Sequence, residues 1–365
     1  MLISCLFAIS AATAYDLNDR YWDHIYPSEE PFELNVSSFP DELVSDERLT
    51  QHFQLALDIW NTQGDARIHL DNGGTTTDVQ YGDGNNDHNT TLFQELYEGT
   101  ALAKARYNAI DNALTDCDIA FYGENLNGVI PWSFAPDGGI DETYDFAHTM
   151  VHEMGHCVGI SHSEFEEAVM YGSSTKGSGW EKRDLHTDDI AAIQAIYGTA
   201  TIALTLDQWH LNDATGDGVM SPGETGEIVV TVRNAGDAHA YAVDGRLVSP
   251  HPAVIVQDST HVAVLGDLAP GSTLGTHNPD MRFAIRTPED CLPTGPVELN
   301  LQVFDHRLTS TSMTIDIPVA CALTYATGTR SEGCGCNQPD RFSSNASLLG
   351  LLVALGYRRK LLQQS

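Results

Sequence analysis

The residues best suited to chemistry lie together, as His152-Glu153-Met154-Gly155-His156-Cys157-Val158-Gly159-Ile160-Ser161-His162. On a helix, His152 and His156 are four apart and share a face, with Glu153 beside them. A catalytic zinc takes three protein ligands and keeps a fourth position for water, so a third donor is required. Gly159 provides for it, because glycine tolerates the left-handed conformation that ends a helix and turns His162 back toward the metal. Cys157 points about 100° away from His156 around the helix and is no ligand. A bare HExxH arises by chance in roughly a few per cent of chains of this length and composition. The added Gly and His lower that to about one in ten thousand, which disfavours the bland reading of a helix with surface histidines.

Eight residues after His162 comes Ala168-Val169-Met170-Tyr171. HExxHxxGxxH followed by such a methionine turn resembles the metzincin zinc metalloproteases, and implies that Met170 lies beneath the metal as an apolar floor without ligating it. The stretch from Asp184-Leu185-His186-Thr187-Asp188-Asp189-Ile190 to Ile196-Tyr197-Gly198 resembles the closing helix of the matrixin branch, which includes the matrix metalloproteinases. The resemblance covers residues 20 to 199 and implies an endopeptidase acting on polypeptides. Zinc would lower the pKa of its water toward about 7 and polarise a peptide carbonyl. Glu153 would be the general base and return the proton to the leaving amine. Matrix metalloproteinases carry a cysteine-bearing propeptide that blocks zinc. Nothing between Tyr15 and Trp22 supplies one, so latency by that route is not expected. The rival from another class is a catalytically silent surface adhesion protein on a protease-like fold, which would bind peptide or glycan without turnover. The presence of all three histidines and Glu153 weighs against it.

These side chains need a scaffold. Asp46 to Trp60 carries apolar residues at Leu49, Phe53, Ala56, Leu57 and Trp60, a helical stripe. Strands are expected at Phe32 to Val36, Ala66 to Leu70, Asp78 to Tyr81, Asp118 to Tyr122 and Val129 to Phe134. That order is α+β, a metzincin-type mixed sheet with an active-site helix, which Asp141 or Thr143 would cap. Substrate would lie extended along the sheet edge facing the zinc. The wall after the turn, Gly172-Ser173-Ser174, departs from the Pro-containing family pattern and bears on side-chain preference.

After Gly198 the pattern changes to alternating strands with Gly and Pro turns. Glu227 to Arg233, Ala242 to Val248, Met281 to Arg286, Val297 to Phe304 and Met313 to Val319 read as an all-β sandwich. It resembles bacterial adhesion-related sandwiches. Before it, Asp213, Thr215, Asp217, Ser221 and Glu224 occupy positions 1, 3, 5, 9 and 12 of an EF-hand-like loop with Gly218 at the turn, implying a structural calcium. A plain polar hairpin entry is the alternative, and no helix follows to make a sensor. The segment from Gly82 to His88 reads as a second calcium loop or as a solvated turn.

The formal net charge is −33, from 51 acidic and 18 basic residues, so the surface repels nucleic acid phosphates and no nucleic acid partner is expected. Residues 1–14 read as a signal peptide, apolar and ending Ala12-Thr13-Ala14, though without a basic start. The expected plan continues with a catalytic domain over 15–199, a sandwich over 200–325, a linker with Cys334-Gly335-Cys336 over 326–342, and a tail over 343–365. The tail's apolar run, Ala346 to Tyr357, covers only about 18 Å as a helix, and the run with its basic end resembles a myxobacterial-type sorting signal. A marginal membrane anchor is the other reading. Either puts a monomeric enzyme outside the cell, touching membrane only through the tail. In an oxidising compartment, Cys117 with Cys157 and Cys291 with Cys321 form bridges or remain buried thiols.

Overall fold

The computed structural model describes residues 15–17, 19–22, 31–82, 88–136, 141–177, 182–258, 261–273, 281–292, 295–308, 310–320 and 322–323. The signal segment, the centre of the 82–88 loop, Cys321, the Cys-Gly-Cys linker and the tail lie outside them. The first part runs β1 (Tyr15–Leu17), β2 (Phe32–Leu34), α1 (Asp46–Gln63), β3 (Asn72–Thr75), β4 (Asn89–Leu96), β5 (Ala103–Ile110), β6 (Ala113–Asn125), β7 (Gly128–Val129), β8 (Trp132–Ser133), β9 (Tyr144–Asp145), α2 (Phe146–Cys157), β10 (Ile160–Ser163) and α3 (Thr187–Tyr197). The main sheet is ordered β3-β2-β4-β6-β5, with β7 on the end of β6. Its first four strands are mutually parallel, and β5 is an antiparallel edge.

Helix α1 forms because Ser45 caps it, accepting from the Arg48 N–H, and because one stripe is apolar. Leu49, Phe53, Ala56, Leu57 and Trp60 are all buried there, the larger ones contributing about 1.5–3 kcal/mol each. The Trp60 indole donates to the Val151 carbonyl at 2.8 Å and seats α2 against α1. Phe146, at the start of α2, packs on Phe121 and Phe134 with ring centroids 4.3 and 4.5 Å away.

The strand expected at Ala66 to Leu70 does not form. Asn61 clamps Leu70 from both sides, its Nδ2 donating to the Leu70 carbonyl and its Oδ1 accepting the Leu70 N–H, so a side chain satisfies that backbone instead of a ladder. The strand lies just beyond, at β3. Asp78 to Tyr81 is likewise irregular, and β4 and β5 are additional strands.

A disulfide joins Cys117 in β6 to Cys157 at the end of α2, across 40 residues of sequence. It pins the helix to the sheet. Replacing both cysteines by alanine is expected to lower unfolding free energy by about 2–4 kcal/mol, read from urea melts of the two proteins.

The second part comprises β11 (Leu204–Asp213), β12 (Thr225–Asn234), β13 (Ala240–Val248), β14 (Ile255–Val256), β15 (Ala263–Leu268), β16 (Met281–Arg286), β17 (Cys291–Leu292), β18 (Val297–Phe304), β19 (Ser310–Ile317) and β20 (Ala322–Leu323). Two four-stranded sheets, β11-β12-β16-β14 and β15-β13-β18-β19, face each other. Alternation in β18 sends Val297, Leu299, Leu301 and Val303 into a core shared with Val230, Phe283 and Ile285 of the other sheet. Strands β11, β14 and β15 go beyond the five expected. β17 pairs with β20, placing Cys291 opposite Leu323, but the expected Cys291–Cys321 bridge falls outside the described side chains.

The two parts meet where the chain after α1 lies on the sandwich. His69 stacks on His239 with ring centroids 3.8 Å apart, and also bonds the Tyr241 hydroxyl at 2.5 Å and Asp71 at 2.8 Å. Arg307 reaches Asp65 at 3.5 Å and Arg67 reaches Asp237 at 3.8 Å. Burial, then the charge of His69, hold the pKa of His239 down at about 4 against the pull of Asp71. Burial also lowers His306, where Asp305, Asp65 and Asp267 pull upward and Arg307 pushes down. Docked histidines therefore bind fewer protons than separated ones. Docking is fully favoured above about 6.5 and weakens as pH falls from there toward about 4. Asp58, raised by burial, opposes this only in the carboxylate range. Small-angle scattering is expected to show a larger radius of gyration at pH 5 than at 7.5, with His239→Gln reducing the change. An unchanged radius would count against the coupling.

Candidate metal centre and active site

Helix α2 begins later than Asp141 or Thr143, because Tyr144–Asp145 first pairs with Trp132–Ser133 as β9. Asp145 is the cap. Its carboxylate accepts from the His148 N–H at 3.1 Å and from Arg183 Nε at 3.0 Å, and Arg183 also donates to the carbonyls of Ala135 and Pro136. At the other end the helix stops at Cys157, and Gly159 takes φ +93°. A Cβ there would fall 2.2 Å from the Arg20 carbonyl oxygen, so both the conformation and the space require glycine. β10 then carries His162 back toward the helix.

One ring nitrogen from each of His152, His156 and His162 lies within 4.8 Å of the others. Among the described residues, no other three His, Cys, Asp or Glu are gathered this way. His152 Nδ1 donates to the Val169 carbonyl and His156 Nδ1 to the Ile160 carbonyl, each at 2.7 Å. Since a carbonyl only accepts, the proton sits on Nδ1 and Nε2 keeps its lone pair, the tautomer a metal requires. Burial lowers the pKa of all three imidazoles, that of His156 to about 4. The donor set is neutral and oriented, and it fits a tetrahedral cation such as zinc.

Glu153 is 6% exposed, and its Oε2 accepts the Ala105 N–H at 2.7 Å. Burial raises its pKa to about 7, against the Ala105 hydrogen bond and the charge of Lys104. Ala105 and Lys104 belong to β5, so the sheet edge passes directly beside this carboxylate. Between β5 and residues 171–176 lies a cleft of about 880 Å³, lined by the three histidines, Glu153, Gly172, Ser173 and Ser174. Sequence reasoning missed β5. Its signal was the alternation of Ala103, Ala105, Tyr107 and Ala109 with Lys104, Arg106 and Asn108.

Met170 is fully buried, its sulfur 2.2 Å from where a Cβ on Gly155 would stand. Asp189 in α3 holds the turn, accepting N–H groups from Val169 at 2.9 Å, Met170 at 3.1 Å and His186 at 2.8 Å. The closing helix thereby fixes the Val169 carbonyl that orients His152.

In the sandwich, Asp213, Thr215, Asp217, Ser221 and Glu224 share one loop, but their oxygens serve the loop itself. Glu224 accepts the N–H groups of Thr215 and Ser221 at 2.9 and 2.7 Å, and Asp213 those of Asp217 and Gly218 at 3.0 and 3.1 Å. Strand β12 follows directly, with no helix.

Residues 30–198 match the family model Peptidase_M10, described as Matrixin. The match and its relatives support the matrixin family for that stretch. Interstitial collagenase B of Mus musculus is 38% identical over 95 residues, covering 26% of this chain and 18% of its own length. Metalloendoproteinase 2-MMP of Arabidopsis thaliana is 44% identical over 54 residues, 15% of this chain and 14% of that one. Matrix metalloproteinase-C of Caenorhabditis elegans is 27% identical over 173 residues, 46% and 28%. The chain thus spans less than a third of the length of each of these relatives. Among solved structures, a CARDB domain from Pyrococcus furiosus aligns over 33% of this chain and 89% of that chain at 16% identity and a TM-score of 0.21. Among the described residues, no helix is long and apolar enough to cross a membrane.

Proposed function

We propose that the protein is an exported zinc-dependent metalloendopeptidase. The observation that carries this reading is the convergence of three neutral imidazoles beside a buried carboxylate, in a cleft bordered by a sheet edge. His152, His156 and His162 would hold the metal. Bound there, zinc supplies Lewis acidity, acidifying a water and polarising a peptide carbonyl. The Val169 and Ile160 carbonyls keep the two helix imidazoles in the ligating tautomer. Edge strand β5 offers backbone groups to an extended polypeptide, which aligns it along the cleft. Glu153 takes a proton on its carboxylate as water attacks and returns it to the leaving amine nitrogen. Met170 and Asp189 keep the floor and the ligand orientation fixed, and Gly172-Ser173-Ser174 form the wall past the turn.

The test is metal content together with hydrolysis of unfolded casein by the purified chain. About one zinc per chain is expected, with turnover lost to a chelator and restored by added zinc. A chain without zinc, or hydrolysis indifferent to the chelator, would defeat the reading. Zinc with no turnover on any peptide would favour a binding protein.

A further inference from the structure

Charge is spread unevenly around the cleft. Acidic residues outnumber basic ones by 51 to 18, and lysine occurs only at positions 104, 176, 182 and 360. Among the described residues lining the cleft, Glu153 is the one carboxylate, where chain-average composition would place about four acids. Two of the four lysines, Lys104 and Lys176, line it. Lys182 stands just behind, its Nζ 5.8 Å from the ring of Tyr171, itself a lining residue. Lys176 sits over Tyr144 at 5.6 Å. The cleft is a basic island in a strongly acidic surface.

The same end of the cleft holds an unmet polar group. His148, one helical turn before His152, lines the cleft and is 4% exposed, yet its Nε2 has no hydrogen-bond partner. A buried polar atom left unpaired carries a penalty that a ligand group can relieve. Ser173 and Ser174 add hydroxyl donors to the facing wall.

We infer that this end of the cleft selects an acidic side chain: the substrate is a polypeptide carrying Asp or Glu at a position flanking the cleaved bond, its carboxylate paired with Lys176 and hydrogen-bonded at His148 and the serine wall. The inference rests on the proposed peptidase reading and narrows it. Such a site needs cations close by and anions kept away, since like charges would raise the cost of burying a second carboxylate. The lining itself meets both conditions, against the composition of the rest of the chain; just outside it, the Asp145 carboxylate beside His148 is neutralised by Arg183, and Asp141 stands next to Gly177.

The experiment compares kcat/KM for peptide sets that differ only in Glu, Gln, Leu or Lys at each position flanking the cleaved bond. At one position Glu should exceed Gln by about fivefold, the upper end for a single exposed ion pair, and the ratio should fall as salt rises. Lys176→Glu, a change at an exposed residue, should reverse the ratio. Equal rates for Glu and Gln, or a ratio untouched by Lys176→Glu, overturn the inference while leaving the peptidase reading intact. If no peptide is cleaved, the peptidase reading fails instead. The same Glu and Gln peptides are then compared by fluorescence anisotropy on the zinc-loaded chain, where equal affinities overturn the acidic preference and tighter binding of Glu supports it.

Discussion

Replacing Glu153 with glutamine is expected to lower hydrolysis of unfolded casein by about a hundred- to ten-thousandfold, the usual worth of a positioned general base, with zinc content unchanged. Glutamine keeps the shape of glutamate and keeps an oxygen for the Ala105 N–H, so no buried donor is orphaned and the fold should hold. It cannot take a proton from water. The metal should stay, because the three imidazoles are oriented by the carbonyls of Val169 and Ile160 and by β10, none of which involves Glu153. Elemental analysis and kcat/KM on the same preparation separate the two effects. Activity within tenfold of the parent would remove Glu153 from the chemistry. Loss of zinc along with activity would mean that the carboxylate shapes the metal site.

The centre was legible in the sequence because its parts are local. Three histidines and Glu153 fall within eleven residues on one helix and one turn, and a period of 3.6 with a glycine stop defines their relative positions. Met170 follows on the same short path. What sequence could not show is how distant residues hold these parts in place. Asp189 accepts three N–H groups from the turn and from His186, and Glu153 accepts the Ala105 N–H from the facing sheet edge; neither pairing has a periodicity. β5 was overlooked because its inward positions are mostly alanine, a poor strand former, although the alternation is regular. The clamp of Asn61 on Leu70 shows the opposite failure, a stretch with buried Ile68 and Leu70 that looks like a strand while its backbone is satisfied by a side chain. In the sandwich, alternation located the inner strands well, while the short β14 and the additional β11 and β15 depended on pairing partners. The unevenness of lysine was visible in composition, but its placement around one cleft appears only when the walls come together.

Asp145→Ala should be the most damaging single change to stability, at about 3–5 kcal/mol, the range for breaking one partner out of a buried ion pair. Asp145 is 3% exposed and Arg183 8%, so the guanidinium would be left charged and buried, with only the carbonyls of Ala135 and Pro136. The same substitution removes the N-cap of α2, a loss of about 1 kcal/mol on its own that overlaps with the first. Asp145→Asn separates the two, since asparagine still caps but no longer neutralises Arg183. Its cost should fall between those of the parent and the alanine variant. Replacing both residues, Asp145→Asn with Arg183→Met, should recover part of the loss, because the stranded charge goes with its partner. Urea unfolding of the parent, Asp145→Asn, Arg183→Met and the double variant closes the cycle and gives the coupling energy directly. The functional consequence follows from distance along the helix: His152 lies two turns from the cap, so fraying at Asp145 displaces a ligand, and zinc affinity should fall in step with stability across the set. If the alanine variant lost less than about 1 kcal/mol, the pair would be an incidental contact, and the position of α2 would have to be credited to Trp60 and the Cys117–Cys157 bridge instead.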